Sequence, residues 1–194
     1  CIPHEKYPFI AASPDGIICD TKSELFGRML EIKNVVSREI TGIPKMEYWI
    51  QMQIQMEVCD LNECDFLETK FIEYTDYEEF LSDNTDKYKG IILLYFTEEN
   101  TPNYEYVPFN VIDFSSNEYI EWFAEIDLKN KLKNNIFERF IYWRLDVISC
   151  ILILRHKLWF SNVLPLIENF WKNLLEERDT GSYKNRIKTK RKLE

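Results

Sequence analysis

Apolar and polar positions change period several times along the chain, and each change predicts an element. Residues 9–12 and 17–19 are short apolar runs on either side of a Ser-Pro-Asp-Gly turn, which predicts a hairpin with Asp15 at the end of one strand. Residues 29–36 (MLEIKNVV) are apolar, partly β-branched and bounded by Gly27 and Ser37, so they predict a strand. From 50 to 58 apolar and polar residues alternate, the period of a half-buried strand. Met, Gln and Glu nevertheless favour a helix, and Pro44 suits a helix start, so the prediction there is a helix. Wound that way, Tyr48, Gln51 and Gln55 share one face, and apolar residues cover most of the rest, which predicts a buried helix with an inward polar stripe. Residues 64–74, 91–96 and 104–111 predict strands, the last two paired, and 75–83 a short acidic helix. Beyond 115, apolar residues at three- and four-residue spacing predict helices over 117–126, 132–154 and 158–177 that cap the sheet. The expected class is α/β (α+β), a mixed central sheet flanked by helices with a helical C-terminal part.

The candidate chemistry lies early in this pattern. Side chains alternate along a strand, so Glu31 and Lys33 emerge on one side about 6–7 Å apart, with Ile32 expected to turn toward the core. The predicted hairpin brings Asp15 beside Glu31. Two carboxylates and an adjacent main-chain carbonyl form a hard, oxygen-lined set of the kind Mg²⁺ accepts, with waters completing the octahedron. A lysine beside such a site can position or deprotonate an attacking water and neutralise charge on a phosphate oxygen. That chemistry suits hydrolysis of a phosphodiester. A lone Glu-x-Lys is most often a surface salt bridge, so the weight rests on the ordered combination of Asp15, Glu31-x-Lys33 and the Tyr48-x-x-Gln51 segment.

This combination resembles the PD-(D/E)xK nuclease superfamily, and within it the YqaJ-like viral recombinase group that includes the lambda-type exonucleases. The likeness is dense from His4 to about Tyr74, in HEKYPFIAASPDGII and YWIQMQIQMEV. It implies a restriction-endonuclease-like fold, with Asp15 and Glu31 binding divalent metal, the Ile32 carbonyl completing the site and Lys33 serving the attacking water. It further implies that Ser13 contacts a terminal 5′-phosphate and that Tyr48 and Gln51 line the active site. The implied cofactor is Mg²⁺, with Mn²⁺ as a substitute, and the implied activity is 5′-to-3′ exonuclease digestion of double-stranded DNA in viral or phage-type recombination and repair. Implied partners are double-stranded DNA ends, a single-strand annealing protein and two further copies of the chain in a homo-trimer. A structure-selective endonuclease on the same core and a catalytically idle DNA-binding module are the alternatives. Two departures stand out. Sixteen positions separate Asp15 from Glu31, which predicts a longer hairpin around 21–27. The chain also starts close to the motif, where family members carry helices that supply an arginine and sometimes another acid, so it is expected to be short at its N terminus.

Composition narrows the picture. The chain has 194 residues, 45% of them apolar, enough for a core. The division expected is a nuclease core over 1–114, a helical extension over 115–180 packed on it, and a disordered basic tail over 181–194. A formal charge of −9 has the wrong sign for a protein that coats nucleic acid broadly, so DNA contact is expected to be confined to a local basic lining. Five cysteines with no C-x-x-C pair and no signal peptide argue against a disulfide framework and an iron–sulfur clamp. They favour an intracellular, reducing compartment, the host cytoplasm or nucleus for a viral protein. The longest apolar run, 147–154, is far below the ~20 residues a membrane span needs, so no membrane partner is expected.

Overall fold

The computed structural model describes residues 1–84 and 87–186. It is a mixed α/β structure in which a sheet is flanked by helices. Two compact units form, each assembled from separate stretches: Cys1–Ile32, Thr41–Leu67 and Cys150–Glu194 in the first, Lys33–Ile40 and Glu68–Ser149 in the second. Strands β4 (Met29–Asn34), β5 (Glu63–Glu73) and β8 (Ile136–Leu154) each begin in one unit and end in the other.

In the first unit, β1 (Ile2–Pro3) pairs antiparallel with β2 (Ala11–Ala12), with Ile2 opposite Ala12. Strand β3 (Gly16–Ile17) pairs instead with β4, Gly16 opposite Leu30 and Ile17 opposite Met29. The hairpin expected between 9–12 and 17–19 therefore does not form, because the proline turn sends its two arms to different sheets. The β3–β4 hairpin is the longer one, closed by Gly27 N–H to Ile18 O and Ile18 N–H to Arg28 O, with Gly27 in the left-handed region (φ 79°) that glycine adopts without strain. Helix α1 (Met46–Val58) follows, helical as its propensities predict. Its Met52 and Met56 pack with Met29, Cys64, Phe66 and Ile153 in one buried cluster. A second cluster joins Ile10, Ala12 and Val58 to Phe160 of α4 (Lys157–Thr180). The His156 imidazole caps α4 by accepting the Trp159 N–H, and Gly181 ends it at φ 71°. Arg155 donates to both Glu57 and Asp60 just before that cap. The tail expected to lack structure from 181 begins with a 3-10 turn, Ser182–Arg186, and residues 187–194 lie outside the described residues.

In the second unit, α2 (Tyr77–Ser82) is capped by the Asp76 carboxylate accepting the Glu79 N–H. Strand β6 (Lys89–Phe96) lies between β7 (Pro102–Tyr106) and β8, antiparallel to both. Helix α3 (Asn117–Leu132), capped by Ser116, lays Tyr119, Trp122, Phe123 and Ile126 on a core of Tyr74, Phe80, Ile91, Leu93 and Tyr95. The stretch 132–154, expected to be helical, is instead the longest strand of the sheet. Asn134 at φ 57° stops α3, and from there the chain is rich in aromatic and β-branched residues, which suit a pleated surface. Strand alternation then separates Phe140 and Tyr142, which pack in the core, from Ile141, Trp143 and Leu145, which line an apolar cavity of about 830 Å³.

Gly90 of β6 faces Trp143 across the sheet, and a Cβ there would stand 2.9 Å from the indole Cζ2. Gly90→Ala must push that ring aside, at ~1–3 kcal/mol for overpacking. A thermal melt is expected to show a midpoint lower by about 2–12 °C. An unchanged midpoint would show that Trp143 turns away freely.

Candidate functional site

Strand β4 supplies the centre of the site. Its burial alternates, with Met29 and Glu31 buried and Ile32 exposed. This reverses the expected facing, in which Ile32 turned to the core: α1 covers the Glu31 side, and the acid shares that side with Met29. A buried carboxylate is tolerated only with hydrogen-bond partners, and α1 brings them. Gln51 donates its side-chain amide to Glu31 Oε1 at 2.7 Å, and Gln55 donates to Oε2 at 2.8 Å. One helical turn separates the two glutamines, which is what lets one carboxylate take both amides. Gln55 is buried and also reaches the Ser13 carbonyl at 3.4 Å, while its own Oε1 is buried without a hydrogen-bond partner.

Asp15 stands one residue before β3, exposed, and its carboxylate accepts the Ile32 N–H at 2.7 Å. The bond fixes Asp15 to the peptide that follows Glu31. Ser13 is exposed two residues earlier and touches the site through its main chain. Tyr48 is half-buried, with its ring 6.0 Å from that of Phe66, against the methionine cluster. Lys33 lies two positions beyond Glu31 on β4 and begins the stretch that belongs to the second unit.

Among the described residues, no three His, Cys, Asp or Glu side chains cluster so as to hold a metal ion. The donors available are thus the Asp15 and Glu31 carboxylates and the Ile32 carbonyl. All of these donors are hard oxygens, a set that fits Mg²⁺. The third glutamine of α1 was read only as part of the buried pattern. Gln53 points away from the acids, donating to the Leu154 carbonyl at 3.0 Å and accepting the His156 N–H at 2.6 Å. His4 is buried, accepts the Lys6 N–H and stacks on Phe160.

Sequence comparison adds a family. Residues 1–62 match the YqaJ-like viral recombinase domain. The matched stretch contains Asp15, Glu31, Lys33 and all three glutamines of α1, and the family is the one that the motifs resemble. The YqaJ-like domain points to a role in nucleic-acid cleavage or recombination. An uncharacterized protein, R354, of Acanthamoeba polyphaga mimivirus is 31% identical over 211 residues, spanning 90% of this chain and 38% of that protein. The chain thus spans well under half of that relative's length. No helix among the described residues is long and apolar enough to cross a membrane.

Cys64 is fully buried in the methionine cluster beside β4. Burial first, then the charges of Glu31 and Asp65, push its thiol from the ordinary 9.0 up to about 12. Burial is also the largest cause holding Tyr74 and Tyr95 at about 12. In each case the unfolded chain releases its proton first, so stability is full below about pH 9 and falls as pH rises from there toward 12. Cys64 should resist iodoacetamide at pH 8 while exposed Cys1, Cys19 and Cys150 react, and it should label only on unfolding. Rapid labelling of Cys64 in the folded protein, read by peptide mass spectrometry, would contradict this burial.

Proposed function

We propose that the protein is a metal-dependent deoxyribonuclease, and specifically a 5′-to-3′ exonuclease that trims double-stranded DNA ends in viral or phage-type recombination and repair. The observation that carries this reading is the buried Glu31 carboxylate, held at both oxygens by α1 and flanked by Asp15 on the adjoining peptide. The YqaJ-like match supports the class of activity, and the direction of digestion follows from the resemblance alone.

Asp15, Glu31 and the Ile32 carbonyl would hold Mg²⁺, or Mn²⁺ in its place. When bound, the cation supplies Lewis-acid polarisation of the scissile phosphate and a more acidic water. The Asp15 carboxylate, tied to the Ile32 N–H, keeps its bearing relative to Glu31 as substrate enters. Gln51 holds Glu31 Oε1 from the helix side. The Lys33 ammonium neutralises charge on a phosphate oxygen and positions the attacking water. Ser13, exposed beside the acid turn, meets the terminal 5′-phosphate, and Tyr48 closes the helix side of the site. A single-strand annealing protein as receiver of the product strand and a homo-trimer around the duplex belong to the same proposal. The five cysteines are free thiols, consistent with a reducing intracellular compartment.

Glu31→Gln in the full-length protein should lower Mg²⁺-dependent digestion of linear duplex by about a thousandfold or more. It should also reduce stability by ~1–3 kcal/mol, because the new amide cannot accept from both Gln51 and Gln55. Retained cleavage by a folded Glu31→Gln protein would remove Glu31 from the metal site. Lys33→Ala is expected to lose turnover with cation affinity unchanged, as measured by calorimetry. A collapse of affinity there would make Lys33 a structural support of the site. Digestion of linear but not circular duplex distinguishes the exonuclease from an endonuclease, and DNA binding without cleavage would identify an idle module.

A further inference from the structure

We infer that Gln55 is a positioning residue of this site, setting the geometry of both metal-binding acids through one amide; the inference rests on the metal-dependent reading above. Its side-chain NH₂ makes two contacts with different segments. One goes to Glu31 Oε2 on β4 at 2.8 Å, and the other to the Ser13 carbonyl, two residues before Asp15, at 3.4 Å. Asp15 itself is joined to β4 through the Ile32 N–H. Gln55 thus adds a link from the helix to an acid turn and acid strand already joined by the Asp15 bond and by the β3–β4 pairing.

Both neighbours are acceptors, so the amide can sit only one way round. The price is visible in the structure: Gln55 Oε1 is buried with no hydrogen-bond partner. Leaving a buried acceptor unmade is costly, and the two donor contacts of the same amide are what hold it in that orientation. Gln51 does not share this position, being half-buried and donating to Glu31 Oε1 on β4. Gln55 therefore stands to a bound cation as a carboxylate-orienting partner stands to its ligand, and losing such a partner weakens metal affinity by about 10–100-fold.

The test is calorimetric titration of Mn²⁺ and Mg²⁺ into the full-length protein as wild type, Gln55→Met, Gln55→Asn and the control Met52→Leu, which alters the same helix on its core side. Gln55→Met is expected to lose about 10–100-fold in cation affinity, and its kcat on linear duplex should fall while KM for DNA stays near wild type. Gln55→Asn, too short to reach both segments, should lose affinity as well, and it gives the answer where Gln55→Met fails to fold. Met52→Leu should shift the melting midpoint without moving cation affinity. A folded Gln55 variant with wild-type affinity overturns the inference while leaving the nuclease reading intact. A wild-type protein that binds neither cation overturns the metal-dependent reading and this inference with it.

Discussion

A carboxylate inside a protein must be hydrogen-bonded, and the environment of Glu31 is built to meet that requirement. Glu31 is 1% exposed, so water cannot serve it, and two neutral amides from α1 do. From this need follow the length and phase of α1. Gln51 and Gln55 must be one turn apart and face β4, which leaves Met52 and Met56 to enter the methionine and phenylalanine cluster beside them. Ile32, on the opposite side of the strand, is then the residue left exposed. An apolar residue in the open and an acid in the core together reverse the ordinary preference along this strand.

The same helix holds its own unit together through Gln53, whose amide spans the Leu154 carbonyl and the His156 N–H. Those two groups sit where β8 ends and α4 begins, so a side chain satisfies main-chain atoms that neither element can pair internally. Arg155, between them, is mostly buried and joined to Glu57 and Asp60, at the far end of α1. Removing one partner of such a pair is costly because the other is left charged in a poorly hydrated place. Helix α1 is thus fastened at one face to the acids and at its C-terminal end to the β8–α4 junction. This explains how a polar, glutamine-rich helix can be stable with so much of its surface out of water.

Much of this was legible in the residues, and the failures share one physical cause. The strand carrying Glu31 and Lys33, the helix carrying the glutamines and the paired β6 and β7 follow from local propensity and turn chemistry, which the neighbouring sequence determines. At α1 propensity prevailed over an alternating pattern, because Met, Gln and Glu lose little on entering a helix. Strand β8 went the other way. Residues 136–154 are apolar at both spacings, so period alone cannot distinguish helix from strand, and pairing within the sheet decides it. Partner choice also defeated the expected hairpin, since β2 pairs with β1 and β3 with β4. The facing of Glu31 was hidden for a related reason: alternation gives relative sides, and which side meets α1 is a tertiary fact. The buried amide of Gln55 was visible only as a member of a helix face, not as a link to Ser13.

Charge brings these observations to the chemistry proposed for the site. The chain carries −9, and two arginines of the first unit are engaged by other acids: Arg28 pairs with Glu63 and Asp65, and Arg155 with Glu57 and Asp60. Two carboxylates on adjoining segments would repel a phosphodiester, and fixed side-chain charges this strongly paired do little to offset that repulsion. On the proposed reading a divalent cation reverses the local sign, turning the acids from a barrier into the anchor for the group that attracts phosphate. On that reading the metal's role begins with electrostatics, before any question of catalysis. The amides of Gln51 and Gln55 serve the same end, because they hold the carboxylate in place without adding charge of their own.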